Sequence, residues 1–270
     1  MFNIALEENY LITCENSSIG IQEKYYDSQY WYKIDKYGGE ASAEELSSLL
    51  LQCSTLNSEE YVTYEEGIVN GKVGCRSRNF LHSDEDLITF KQAHESVLGK
   101  SFGRLLLGKT YPDKIKYCLW FFQTYFDLDV SSYLAKTFYL DMLIRNEDRN
   151  FGNLAIIYNS SFDTYKTAPI FDNGFSMLVG NEPYKQIGSI ADRLKSVPGK
   201  PFVGNLEVQA RYFEAPFKID YEKFDLLIAE KENSLQKDVI KYQVEKYKDI
   251  FRLYNSYDKI ENMQEEVSLE

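Results

Sequence analysis

The chain has 270 residues, 44% hydrophobic and 27% charged, a balance that suits a folded protein of one large domain or two lobes and excludes wholesale disorder. Forty-two acidic residues against thirty basic ones give a formal net charge of −12, which argues against a surface built chiefly to hold a nucleic-acid backbone. Two histidines (His82 and His94) exclude a three-histidine metal site, and four cysteines (Cys14, Cys53, Cys75 and Cys118) without a CxxC pair give no support to a zinc or thioredoxin-like site.

The first residues carry neither a basic n-region nor a long apolar h-region. The apolar run near residues 118–126 is short and interrupted by Gln123. We therefore expect a soluble, cytoplasmic protein with reduced cysteines and no membrane partner. The 22 tyrosines and 17 phenylalanines are read as core and lobe-contact residues.

In chain order, residues 10–14 form a short β-like run, followed by a turn-rich patch at 15–18. Residues 20–26 and 30–34 carry β-branched and aromatic side chains at strand density. Gly38 and Gly39 end that run, and Leu46, Leu49, Leu50 and Cys53 then recur at helical spacing over residues 41–53. Residues 61–64 and 72–76 read as a hairpin turning at Asn70-Gly71. From about Asp84 the pattern becomes helical, with helices expected over 113–126 and 131–145. A second β-rich island covers 154–158 and 165–171, and helices return over 221–230 and 235–254. The expected organisation is an α+β fold of two lobes: a small β-rich lobe over 1–82, a larger helical lobe over 83–258 and an acidic, frayed tail over 259–270.

The informative stretch runs from Leu140 to Asn153 and resumes at Ala168 to Gly174. An apolar helix ends in a polar turn holding Asp148 and Asn153, and the second strand of a hairpin then delivers Asp172 next to Gly174. Phosphoryl transfer needs these residue types in this order. One carboxylate orients the attacking hydroxyl and takes its proton, while a carboxamide five residues on and a carboxylate beyond the hairpin hold Mg²⁺ against ATP phosphates. Asp148 would be the base, with Asn153 and Asp172 the metal ligands. An isolated D-x-x-x-x-N is a weak signal; the strand-borne Asp-x-Gly strengthens it.

The N-terminal lobe adds two parts. Lys33 interrupts an aromatic strand, where a lysine is ordinarily a solvated edge residue but where a kinase needs one for the α- and β-phosphates, steadied by a helical glutamate. Glu44 or Glu45 is placed for that. Upstream, residues 17–24 form a turn whose backbone N–H groups could face phosphates, although with one glycine it is weak as a generic phosphate loop.

Together these residues resemble the HipA-like serine/threonine kinases, the toxins of bacterial toxin–antitoxin pairs. That family's phosphate loop reads S-x-x-G-x-Q-x-K, matched by Ser17, Gly20, Gln22 and Lys24. Its catalytic segment reads N-x-D-R-H-x-x-N, matched by Asn146, Asp148, Arg149 and Asn153, with Asn150 in place of the histidine. Its metal motif follows A-P-x-[YF]-D, matched by Ala168, Pro169, Phe171 and Asp172. The resemblance implies that Lys33 binds ATP with Glu44 as its partner, and that the backbone of Ser18, Ile19, Gly20 and Ile21 covers the phosphates. It implies that Ser17 is autophosphorylated to switch the enzyme off, since a phosphoserine there would repel ATP. The Asn150 departure is expected to leave activity intact. Few residues precede the loop, so the chain resembles the short forms lacking the extra N-terminal subdomain.

The resulting expectation is an ATP- and Mg²⁺-dependent protein kinase, with a protein substrate (an aminoacyl-tRNA synthetase is one candidate) and a cognate antitoxin bearing a DNA-binding motif. The rivals are a small-molecule phosphotransferase and a catalytically silent kinase-fold binding protein. Direct nucleic-acid binding is not expected. Arg76 and Arg78 are placed after a strand at the lobe hinge as surface or lobe-contact residues, both histidines as structural or exposed, and residues 200–209 near a substrate-side loop.

Overall fold

The computed structural model describes residues 1–12 and 22–252. Cys14, the expected loop residues Ser17, Ser18, Ile19, Gly20 and Ile21, and the acidic tail lie outside the described residues.

Among the described residues, strands β1 (Phe2–Ile4), β2 (Lys24–Tyr26), β3 (Tyr30–Ile34), β4 (Tyr64–Val69) and β5 (Lys72–Arg78) form one sheet in the order β1-β4-β5-β3-β2. Asn70 and Gly71 have φ of 52° and 76°, the left-handed pair that a two-residue hairpin turn requires. The hairpin therefore forms as expected, but its first strand is not 61–64. The turn fixes a register that runs from Val69↔Lys72 back to Tyr64↔Ser77, so residues 61–63 lie beyond the ladder. Tyr61 instead runs beside Ile170. Of the run expected over 10–14, Tyr10 ends a helical turn at Glu8–Tyr10 and Leu11 bridges Tyr25, while residues 13 and 14 lie outside the described residues. Residues 75–78 lie within β5 rather than after it.

Helix α1 (Glu40–Gln52) starts where Gly38 and Gly39, at φ 87° and 94°, reverse the chain. The Asp35 carboxylate accepts the N–H groups of Gly39 and Ala41, both at 2.8 Å, closing the helix start. Ten of its 13 residues are buried, because the helix lies between the sheet and the C-terminal helices.

A strand absent from the sequence reading, β6 (Glu85–Thr89), pairs with β7 (Ala155–Asn159), which pairs with β8 (Thr164–Thr167). Its partner is about seventy residues away in sequence, so no local hairpin signal announces it. β8 stops at Thr167, and Asp172 is delivered by the extended run that follows, not by the strand itself. That run is held where Val62 N–H donates to Ile170 O at 2.9 Å and Ile170 N–H to Glu60 O at 2.8 Å.

The helical part comprises α2 (Phe90–Leu98), α3 (Phe102–Leu105), α4 (Tyr111–Phe126), α5 (Ser131–Ile144), α6 (Ile190–Lys195), α7 (Leu206–Ala210), α8 (Tyr221–Ala229), α9 (Leu235–Lys246) and α10 (Lys248–Phe251). The last two replace the single helix expected over 235–254. α5 is buried on nearly every side and ends at Arg145, whose φ is 57°. One large core joins α1 to α4, α5, α8 and α9, and a smaller one packs Val62, Tyr64 and Cys75 against Ala155, Ile157 and Phe171. No helix among the described residues is long and apolar enough to cross a membrane. The α+β architecture, a sheet lobe followed by a helical lobe, is the expected one.

Candidate active site

Alternation along β3 sends Tyr32 and Ile34 into a small cluster with Tyr25 and Val69, and leaves Lys33 on the opposite face. There its Nζ lies 2.7 Å from Glu44 Oε1 and 2.7 Å from Asp172 Oδ1. The ammonium also sits 5.0 Å from the centroid of the Tyr64 ring. Burial alone would lower the Lys33 pKa, but Asp172 and Glu44 outweigh it and hold the ammonium well above its ordinary value. Burial would likewise raise the Asp172 carboxyl; Lys33, Lys24 and Arg149 together pull it well below the usual carboxylate range. The pair is fully charged near neutral pH.

Glu44 is the helical partner rather than Glu45, which instead pairs with Lys231 at 3.1 Å. Glu44 also accepts the backbone N–H of Asn173 at 2.9 Å. Asp172 has φ of 60°, and its N–H donates to the Tyr64 hydroxyl at 3.3 Å. A Cβ on Gly174 would come 3.4 Å from Glu44 Oε1 and from the Glu40 carbonyl, ordinary contact distance, so this segment runs directly against α1.

The polar turn after α5 is built by its own side chains. Asn146 Oδ1 accepts Asp148 N–H at 2.9 Å, and Asn153 Nδ2 donates to Asp148 O at 2.9 Å. Asn150 serves the loop: its Oδ1 accepts Gly152 N–H at 2.7 Å and its Nδ2 donates to Asp148 O at 3.1 Å. The Asp148 side chain is half-exposed and meets Lys200 Nζ at 3.2 Å.

Arg149 is the hub that sequence reading left without a role. Fully buried, it pairs with the equally buried Asp141 of α5 at 3.0 Å and donates to Phe171 O and Asn173 Oδ1, both at 2.6 Å. One guanidinium thus ties α5, the polar turn and the segment carrying Asp172 into a single body. Asp141 holds the Arg149 charge in place against the opposing effect of burial. The available signal was Asp141 itself, an acid in the middle of an apolar helical run. Lys24, matched in sequence only as the last residue of the loop motif, stands opposite Lys33 across β2 and β3 and contributes to the low pKa of Asp172.

Among solved structures, the Helicobacter pylori proinflammatory kinase CtkA superposes with a TM-score of 0.59 at 16% sequence identity, over 85% of this chain and 90% of that one. The fold is kinase-like. No family model and no curated protein matches the sequence.

The Asp172 carboxylate and the Asn153 amide oxygen, whose amide nitrogen is engaged with Asp148 O, are hard oxygen donors of the kind Mg²⁺ takes. His94, by contrast, is fully buried among aromatic rings and hydrogen-bonded to Lys100 O and the Tyr117 hydroxyl, and His82 is exposed. Arg76 pairs with Glu65 at 2.7 Å, and both Arg76 and Arg78 lie over the Tyr30 ring.

Proposed function

We propose that the chain is an ATP- and Mg²⁺-dependent protein serine/threonine kinase of the HipA type. The observation that carries the reading is Lys33, held charged between Glu44 and Asp172 at 2.7 Å from each. A permanently protonated lysine beside a metal-capable carboxylate is what anchoring the α- and β-phosphates of ATP requires. The Helicobacter pylori neighbour is itself described as a kinase.

Asp148 accepts the proton of the acceptor hydroxyl, and its half-exposed position leaves it open to a protein side chain. Asn153 and Asp172 would hold Mg²⁺, whose contribution when bound is to neutralise phosphate charge. Lys33 anchors the nucleotide, Glu44 fixes Lys33, and the backbone of Ser18 to Ile21 covers the phosphates. On this proposal Ser17 is the autophosphorylation site that turns the enzyme off. The acceptor is a protein hydroxyl, with aminoacyl-tRNA synthetases as the first substrates to try. The partner is an antitoxin protein with a DNA-binding motif.

The test is intact-protein mass spectrometry before and after incubation with ATP and Mg²⁺, with Asp172→Asn alongside. Phosphate gained by the wild type alone, and mapped to Ser17, supports the chemistry and the switch together. An unmodified protein that gains no phosphate and binds no nucleotide overturns the reading.

A further inference from the structure

Asp148 has a cationic neighbour that its own turn does not supply. Two residues after it stands Asn150, whose amide is spent on the loop, and the cation comes instead from Lys200, on the stretch between α6 and α7.

That placement is built. Gln209, fully buried on α7, donates its Nε2 to Lys200 O at 2.6 Å and accepts Phe202 N–H at 3.1 Å, clamping the chain on both sides of the residue between. Lys114 Nζ donates to Phe202 O at 3.0 Å, and the buried Phe202 ring packs edge-on against Phe138 and Phe151. A Cβ on Gly199 would come 2.7 Å from Val203 O, so the backbone there closes on itself too tightly for a side chain. Buried groups fix the Lys200 backbone; its half-exposed side chain extends to Asp148.

We infer that Lys200 contacts the phosphoryl group in transfer, an inference that rests on the kinase reading above. An acceptor oxygen hydrogen-bonded to Asp148 lies about 3 Å from that carboxylate. The phosphorus it attacks lies about 3–3.5 Å further on. An ammonium 3.2 Å from the same carboxylate is within reach of the phosphoryl oxygens, and its three N–H donors can serve both. In the step itself the acceptor O–H proton passes to Asp148, the new O–P bond forms, and the bond to the β-phosphate oxygen breaks with its electron pair leaving on ADP. Lys200 transfers no proton in this step; its N–H donors offset the charge on the moving group.

The test is calorimetric binding of ADP and of a non-hydrolysable ATP analogue, each with Mg²⁺, to wild type, Lys200→Ala and Lys200→Arg, followed by turnover. The alanine variant should keep ADP affinity within about twofold, lose roughly tenfold for the ATP analogue, and lose about a hundredfold in turnover. The arginine variant should recover part of both losses. Equal loss for ADP and the analogue would reduce Lys200 to a structural role, and wild-type binding and turnover in the alanine variant would dismiss it; either overturns the inference. A wild type that binds neither nucleotide overturns the kinase reading first, and Lys200's role with it.

Discussion

The backbone N–H of Asn173 donates to Glu44 Oε2 at 2.9 Å, so the glutamate that steadies Lys33 also grips the residue following Asp172. The helix carrying Glu44 is itself wedged: Lys231 pairs with Glu45, Lys223 Nζ donates to Gln52 O at 2.5 Å, and Asp220 N–H donates to Cys53 O at 2.7 Å. Here packing against the C-terminal helices holds the helix that carries Glu44.

Glu44→Ala should therefore cost about 2–4 kcal/mol in urea unfolding, because it strips a buried ammonium of one partner and leaves a buried N–H unmet. Glu44→Gln keeps an acceptor for one of the two donors and should lose less. Both should lower phosphoryl transfer by about a hundredfold or more. A wild-type unfolding midpoint in Glu44→Ala would show the link to be slack.

Lys33, Glu44 and Asp172 were legible because each breaks a local pattern: a lysine in an aromatic strand, glutamates opening a leucine-rich helix, an aspartate ending an apolar run. What escaped notice depends on distant pairing. β6 exists because β7 is there to receive it, and nothing in residues 85–89 announces that partner. Arg149 lies within the N-x-D-R-H-x-x-N segment, yet its role emerges only when Asp141, Phe171 and Asn173 converge on it. Lys200 meets Asp148 across 52 residues of chain. The run carrying Asp172 reads as a strand in sequence because apolar composition does not distinguish a ladder from an extended segment tied at Ile170.

Asp141→Asn should be among the most damaging single changes in the helical lobe. It leaves the Arg149 guanidinium buried with its countercharge removed, a situation that costs about 3–5 kcal/mol. Arg149→Lys should not rescue function, since one ammonium cannot meet the four groups the planar fork reaches (Asp141, Asn153 O, Phe171 O and Asn173). Denaturant titration of both variants measures this. A loss under 1 kcal/mol in Asp141→Asn would mean that water replaces the lost charge.

Asp35 ties the start of α1 to pH. Burial, and then Glu40, push its carboxyl from 3.8 up to about 6, against the pull of the N–H groups of Ala41 and Gly39. As pH rises from about 4 to 6, the unfolded chain releases this proton first, so the folded state holds more protons across that window. The contribution of Asp35 to stability accordingly falls as pH rises through it. Asp35→Asn removes the titration, and the stability difference between variant and wild type should shift in the variant's favour over the same interval. Unfolding curves at four or five pH values decide it, and a pH-independent difference would place the carboxyl in water.

Glu147, next to Asp148, is buried and ion-paired to Lys185, and it accepts the Tyr184 hydroxyl at 2.5 Å. Lys185 also meets Glu182 at 2.9 Å, donates to Val179 O and lies 4.4 Å from the Phe175 ring centroid. The stretch between Asp172 and α6 is thus fastened to the turn after α5 by a lysine–glutamate pair, a link that needs no added phosphate. Its order should not depend on phosphorylation, and phosphatase treatment should leave hydrogen exchange across residues 176–189 unchanged. Lys185→Met keeps the stem's packing on Phe175 but removes the charge, leaving a buried carboxylate with one hydroxyl donor. Exchange in that segment should then quicken by roughly ten- to a hundredfold, while α5 keeps its protection. Unaltered exchange in Lys185→Met would assign the segment's order to its apolar contacts, chiefly Phe175 and Val179, and not to the ion pair.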